Sequence, residues 1–219
     1  MGALTALGFK GLDADGRELA RGGGELYRLA HVETPANHRN LTRGIKVLVD
    51  VQSPLTGPNG AAYIFGPQKG ADAEQVRLLN EGLLQFLKVL YVEDRAGFGA
   101  AGGVSCGLAV LLGATIVSGV ETIAELVGLQ EKIESSDCVI TGEGSFDDQS
   151  YRGKAVGYLL EIAHICDRPV MIACGVNKNE KSDEIVSLLE LAPNFESAMT
   201  DSQKWLIECG KVLATRFSR

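Results

Sequence analysis

Apolar positions along the chain fall into two kinds of run: short continuous ones rich in β-branched residues, and longer ones at helical spacing. The run IKVLVDV at 45–51 is of the first kind, the mark of a buried strand. Val76, Leu79, Leu83, Phe86, Leu87 and Leu90 are of the second kind, with Asp72 placed to cap their helix and Gln75 to complete a capping box. Before them, ALTALGF predicts a helix stopping at Gly8, LDADGREL a tight turn at Asp15-Gly16, and RGGGELYRLAHVE a glycine loop followed by a short helix. After them, VSCGLAVLLGA (104–114) predicts a small-residue helix and TIVSG (115–119) a short strand. ETIAELVGLQEKIES (121–135) reads as one amphipathic helix and CVITGEGSFD (138–147) as a strand passing into a loop. KAVGYLLEIAHICD (154–167) predicts a helix, RPVMIACGV (168–176) a strand, SDEIVSLLEL (182–191) a helix, and SQKWLIECGKVLATRF (202–217) a closing helix. Strands alternating with helices define an α/β fold of mainly parallel sheets with flanking helices, in one large or two small domains.

Composition narrows the partners. The 219 residues are 45% hydrophobic, enough to bury a sizeable core, and the formal net charge of -7 disfavours nucleic acid or an anionic membrane surface as a partner. The five cysteines are odd in number, scattered through apolar runs and without a CxxC pair. They read as reduced core thiols of a cytoplasmic protein. No basic segment followed by a long apolar core opens the chain, and no apolar run reaches the roughly 18 residues of a membrane span.

Three stretches carry chemistry. DVQSPLTGPNGAAYIFGPQKGA (50–71) follows the first strong strand, and ligand crevices of parallel sheets lie beyond the carboxyl ends of strands. There Asp50 can face the crevice, the glycines let backbone amides approach an anion, and Lys69 adds a positive charge. Together they suit a phosphate or a metal with a phosphate; the competing reading is a structural turn with a solvated lysine. GFGAAGG matches G-x-G-x-x-G through Gly97, Gly99 and Gly102, and suits either anion binding at a helix start or close helix packing. ITGEGSFDDQSYRGKAVG (140–157) gathers Glu143, Asp147, Asp148, Gln149, Arg152 and Lys154, which can bind Mg²⁺ and phosphate or take a proton from an alcohol. Asp147 and Asp148 also suit plain loop solvation or a helix cap. There is no Walker A pattern and no G-x-S-x-G elbow.

These three stretches resemble, in the same order, the motifs of the type I glycerate kinase family. The resemblance extends over nearly the whole chain and weakens after about Asn177. It implies transfer of the γ-phosphoryl group of ATP, with Mg²⁺, to a hydroxyl of D-glycerate, and two α/β domains. Residues 1–118 would be the inserted domain, present in part, and 119–219 the C-terminal part of a flavodoxin-like domain. It selects these stretches; within them the residue chemistry points to Asp50, Lys69, Glu143, Asp147 and Lys154 as catalytic, Gly97, Gly99, Gly102, Gly142 and Gly144 as cofactor-binding, and Asp50 and Glu143 as metal ligands. In individual roles, Lys69 and Lys154 would neutralise phosphate or carboxylate charge, Asp50 and Glu143 orient Mg²⁺ or substrate hydroxyls, and Asp147 serve as base.

Departures from the pattern set further expectations. Ser53 stands where the family usually has Asn, Val156 stands where a Pro is usual, and 177–183 is shorter than the pattern. The family's N-terminal part, with a D-S-F-K-type and a T-N-D-G-G-type loop, has no counterpart here, so the chain alone is expected to turn over little. A rival reading is a non-catalytic binding or interaction protein that associates with itself through exposed apolar surface. A third, a nicotinamide-dependent enzyme built on Gly97–Gly102, lacks a strand-terminal acid about twenty residues on, since Glu121 and Glu125 fall in a helix.

Overall fold

The computed structural model describes residues 1–36, 44–148, 150–151, 155–180 and 182–218. It is a mixed α/β chain that divides into two compact units, Met1–Gly119 and Val120–Arg219. In the first unit, α1 (Gly2–Ala6) precedes β1 (Lys10–Leu12), which pairs antiparallel with β2 (His31–Glu33). The segment Gly23–Arg28 between them is 3₁₀-helical, and β2 is a strand that the glycine-rich sequence concealed. A second sheet is the parallel pair β3 (Lys46–Val49) and β4 (Thr115–Ser118), in register from Lys46 opposite Thr115 to Val49 opposite Ser118. Between these strands run α2 (Ala61–Phe65), α3 (Ala73–Leu90) and α4 (Val104–Leu112).

The α3 N-terminus is set by its own sequence. The Asp72 carboxylate accepts from the Glu74 and Gln75 amides, and the Gln75 side chain accepts from the Asp72 amide in return. Gly82 sits where a Cβ would come within 2.9 Å of Leu26 Cβ, so α3 presses directly on the 3₁₀ segment. Leu4, Phe9, Leu26, Leu29, Leu55, Phe86, Phe98 and Cys106 form the core of this unit.

In the second unit, α5 (Gly119–Leu126) and α6 (Leu129–Glu134) replace the single helix expected at 121–135. Gly128 between them takes φ 60°, a left-handed conformation that breaks the run at little steric cost. Strand β5 (Val139–Phe146) pairs parallel with β6 (Val170–Asn177), and β6 with β7 (Ile185–Ser187), giving the order β5-β6-β7. Helix α7 (Ala155–Ile165) covers one face, with Val139, Ile172, Cys174, Val156 and Ala163 buried together. The segment 182–191, expected as a helix, is instead β7 followed by α8 (Leu188–Leu191). Ser187 closes the strand and caps α8 in a reciprocal box with Glu190, so an S-x-x-E signal was present but lay inside a helical reading. Helix α9 (Phe195–Thr200) leads to α10 (Ser202–Phe217), whose Cys209 and Leu213 bury the opposite face of β6 and β7 with Met171 and Val186. Strand β5 has β6 as its one strand neighbour among the described residues, and Ile140 on its face away from α7 is 70% exposed. All five cysteines are free thiols, and no helix among the described residues is long and apolar enough to cross a membrane.

Candidate functional site

In the first unit the site is built around the loop after β3. Asp50 is exposed and is the first residue past the strand end. The loop's shape is set by Asp94, a residue that no motif in the sequence singles out. One carboxylate oxygen accepts from the Leu55 and Arg95 amides, and the other from the Thr56 amide and hydroxyl, all at 2.7–2.8 Å. The next amide, Gly57, donates to Asn80 Oδ1 on α3 at 3.0 Å. Leu55 is thereby held fully buried, and the loop is pinned to the core at its midpoint. The rest of the stretch is regular too: α2 lies inside the segment expected as loop, and Pro67–Lys69 forms a 3₁₀ turn closed by Gly70 at φ 91°.

The glycine-rich turn at 97–103 locks against this loop. The Gly99 amide donates to Ser53 O, and a Cβ at Gly99 would fall 2.2 Å from Pro54 O, so only glycine permits the contact. Ser105, buried in the first turn of α4, donates to the carbonyl of Gly97 at 2.6 Å and also lies within reach of Phe98 and Ala100. The Gly102 amide is engaged by Gly99 O. The structure brings Lys69 and Gly102 together on one mostly apolar cavity of about 160 Å³, with Phe65, Leu79 and Leu83 among its walls. The Lys69 side chain is exposed and makes no ion pair among the described residues. Gly97 instead lines a polar cavity of about 390 Å³ that runs along β4 from Ala114 to Ser118, with Gln52 and Arg95. Arg95 lies over the Phe98 ring, 4.6 Å from its centroid.

In the second unit, Gly142, Glu143 and Gly144 lie inside β5 rather than in a loop after it, because β5 runs on to Phe146 in register with β6. Gly142 is required there, since a Cβ would sit 2.1 Å from Ala173 O on the neighbouring strand. Asp147 comes directly after the strand, 3.5 Å from the ammonium of Lys178, and its amide donates to Ser150 Oγ. Lys154 lies outside the described residues. Among the described residues, three polar atoms in or just after this strand pair are buried without a hydrogen-bond partner: Glu143 Oε1, Ser145 Oγ and Asn179 Nδ2. Such atoms are uncommon in folded proteins, and each has donor or acceptor capacity that a ligand or water can fill. Ser145 and Asn179 are not candidates on sequence grounds, because a serine in a strand and an asparagine in a turn carry no spacing signal.

Among the described residues no three His, Cys, Asp or Glu side chains group closely enough to hold a metal ion. Asp50 and Glu143, expected as metal ligands, belong to separate compact units.

Strand-end carboxylates, a pinned loop bearing an exposed lysine and a glycine-rich turn into a helix lie where parallel-sheet α/β proteins place their ligand crevices. The Glycerate kinase family model matches residues 1–218, and the chain belongs to that family. Glycerate 2-kinase of Escherichia coli (strain K12) is 38% identical over 181 residues, covering 80% of this chain and 48% of that protein. Glycerate kinase of Bacillus subtilis (strain 168) is 32% identical over 228 residues, covering 97% and 59%. A solved structure described as a "putative glycerate kinase 2 from Salmonella typhimurium LT2" superposes with a TM-score of 0.71 at 31% identity, covering 98% of this chain and 59% of that one. The chain thus spans about half the length of the curated relatives it matches.

Proposed function

We propose that this chain serves ATP-dependent phosphoryl transfer to a hydroxyl of D-glycerate, in the cytoplasm, with Mg²⁺ as the metal. The observation that carries the reading is the loop at 50–71. It has the family's sequence, Asp94 and Asn80 fix its shape, and Lys69 stands unpaired beside the glycine-rich turn through Gly102.

Phosphoryl transfer asks little covalent chemistry of a protein; it asks for positioning and for neutralisation of the phosphate oxygens. Lys69, with Lys154, supplies positive charge for phosphate or carboxylate. Asp50 and Glu143 orient Mg²⁺ or the substrate hydroxyls, and Asp147 is the candidate base. Beyond Ile140, Gly142 and Gly144 leave the exposed face of β5 without side chains, which suits close approach of a nucleotide. The residues present fit a magnesium ion, because Mg²⁺ in kinases takes one or two carboxylates and fills its shell from phosphates and water, and the exposed Asp50 carboxylate just past β3 can supply one of them. When bound, Mg²⁺ would neutralise charge on the transferred phosphate.

The test is calorimetric titration of the protein with ATP, with and without Mg²⁺, and with D-glycerate, followed by an assay for ADP and phosphoglycerate. Binding of both ligands is expected, with ATP binding weakened at least about tenfold by Lys69→Met, the loss of one charge-assisted contact. A folded protein that binds neither ligand refutes the reading. Binding of both without any phosphoglycerate would leave the non-catalytic binding role in its place.

A further inference from the structure

We infer that Glu143, Ser145 and Asn179 form a pocket in the second unit that recognises a pair of adjacent hydroxyl groups on a ligand. The inference rests on the proposed function only for its choice of probes, since ATP and glycerate each carry such a pair, on the ribose and on carbons 2 and 3.

Glu143 and Ser145 are two residues apart on β5, so their side chains leave the strand on the same face. Opposite them on β6 stand Cys174 and Val176. Asn179 is held at the same end of the strand pair. Its chain leaves β6 at Asn177, opposite Phe146; the Lys178 amide donates to Phe146 O, and the Asn179 amide donates to Asn177 Oδ1 at 3.0 Å. This small turn keeps Asn179 beside the carboxyl end of β5.

The unpartnered atoms state what is wanted. Glu143 Oε1 needs a donor, Asn179 Nδ2 needs an acceptor, and Ser145 Oγ can serve as either. A cation satisfies the first but is repelled by an amide N–H; an anion satisfies the amide but is repelled by the carboxylate. A hydroxyl group both donates and accepts, and two adjacent hydroxyls supply the full set. Leaving three buried polar atoms unpaired lowers the stability of the free protein, which is the pattern of a preformed binding site rather than of a structural core.

The experiment uses ligand-observed NMR titration of the intact chain in EDTA, so that metal-bridged binding is removed. Two pairs of probes are compared: D-glycerate with D-lactate, and adenosine with 2′-deoxyadenosine. Within one pair, the compound with both hydroxyls should bind about tenfold or more tightly than the compound lacking one. Ser145→Ala and Asn179→Ala should each erase that preference. The pair that shows the preference identifies the source of the hydroxyls. Thermal melting supplies a readout independent of any ligand and of kinase activity: with no partner to lose, both variants should melt at or above the wild-type temperature. Equal binding within both pairs, or no binding of any probe, overturns the inference. So does a melting temperature several degrees lower in both variants, which would mean that these atoms already have partners in the free protein.

Discussion

Asp94→Asn isolates the element that shapes the candidate loop. The native carboxylate accepts four hydrogen bonds, two on each oxygen, and three of the donors belong to Leu55 and Thr56. An amide keeps one oxygen for the Leu55 and Arg95 N–H groups but turns its own N–H toward those of Thr56. The Thr56 hydroxyl can rotate away; its amide cannot. One part-buried amide left unpaired costs about 1–3 kcal/mol, and loss of charge assistance at the surviving bonds costs about 1 kcal/mol more. The expected destabilisation is about 2–4 kcal/mol, a large part of the roughly 5–15 kcal/mol available to a domain. The chain's single tryptophan, Trp205, lies in the second unit, so the change should be followed by circular dichroism in urea and by amide exchange at Leu55 and Thr56. Exchange at both amides should accelerate well beyond that of the α3 interior. A loss below about 0.5 kcal/mol with unchanged exchange at Leu55 and Thr56 would refute the argument, since surface changes of no consequence fall in that range.

Two glycine substitutions and a titration test the rest of the fold. Gly99→Ala and Gly142→Ala each place a methyl group against backbone oxygen, 2.2 Å from Pro54 O and 2.1 Å from Ala173 O, so each should cost more than about 2 kcal/mol in urea unfolding; a neutral effect for either would mean that the backbone there gives way freely. Burial pushes the Cys106 thiol up to about 12 and the Cys174 thiol up to about 11, from an ordinary value of 9.0. Their contribution to stability is complete below about pH 8, where both states hold the proton, and is lost as pH rises from about 9 through the raised values, because the unfolded chain ionises first. Stability should therefore decline above about pH 9, and native-state thiol labelling at pH 8 should modify the partly exposed Cys138 and Cys166 well before Cys106 or Cys174; rapid labelling of Cys106 would contradict the burial.

How far the sequence could be read depended on whether the deciding interaction was local. The α3 start was legible because Asp72 and Gln75 are three residues apart and cap each other. The β3, β4, β5 and β6 strands were legible because buried parallel strands need continuous apolar runs. The break at Gly128 and the strand at Ile185–Ser187 were misread, since in both places helical spacing of apolar residues continued through a residue that ends the element. Asp94 could not be found from spacing: its partners lie 38 and 39 residues away, and the signal in the sequence, a lone acid in EDRA, is that of an ordinary surface loop. The same holds for Ser145 and Asn179, whose Oγ and Nδ2 are buried without a hydrogen-bond partner among the described residues.

The glycine-rich turns show a further divergence between what a sequence suggests and what its fold permits. Glycines next to a helix start suggest free amides for a phosphate, yet here the donors are largely engaged: Leu55 and Thr56 by Asp94, Gly57 by Asn80, Gly99 by Ser53, Gly102 by Gly99 and Gly103 by Ala100. The glycines serve close packing, so for the proposed anionic ligand the positive charge would come from side chains, with Lys69 exposed on the cavity it shares with Gly102. Two substitutions separate these roles. Lys69→Met removes the charge and keeps the stem, so it should weaken ATP binding at least about tenfold and flatten its dependence on salt. Gly102→Ala meets nothing within 4 Å and carries only the strain of φ 68°, about 1–2 kcal/mol of stability, so ATP binding should stay within about twofold. The reverse outcome, with binding lost in Gly102→Ala and kept in Lys69→Met, would show that a backbone cradle rather than the lysine holds the phosphate.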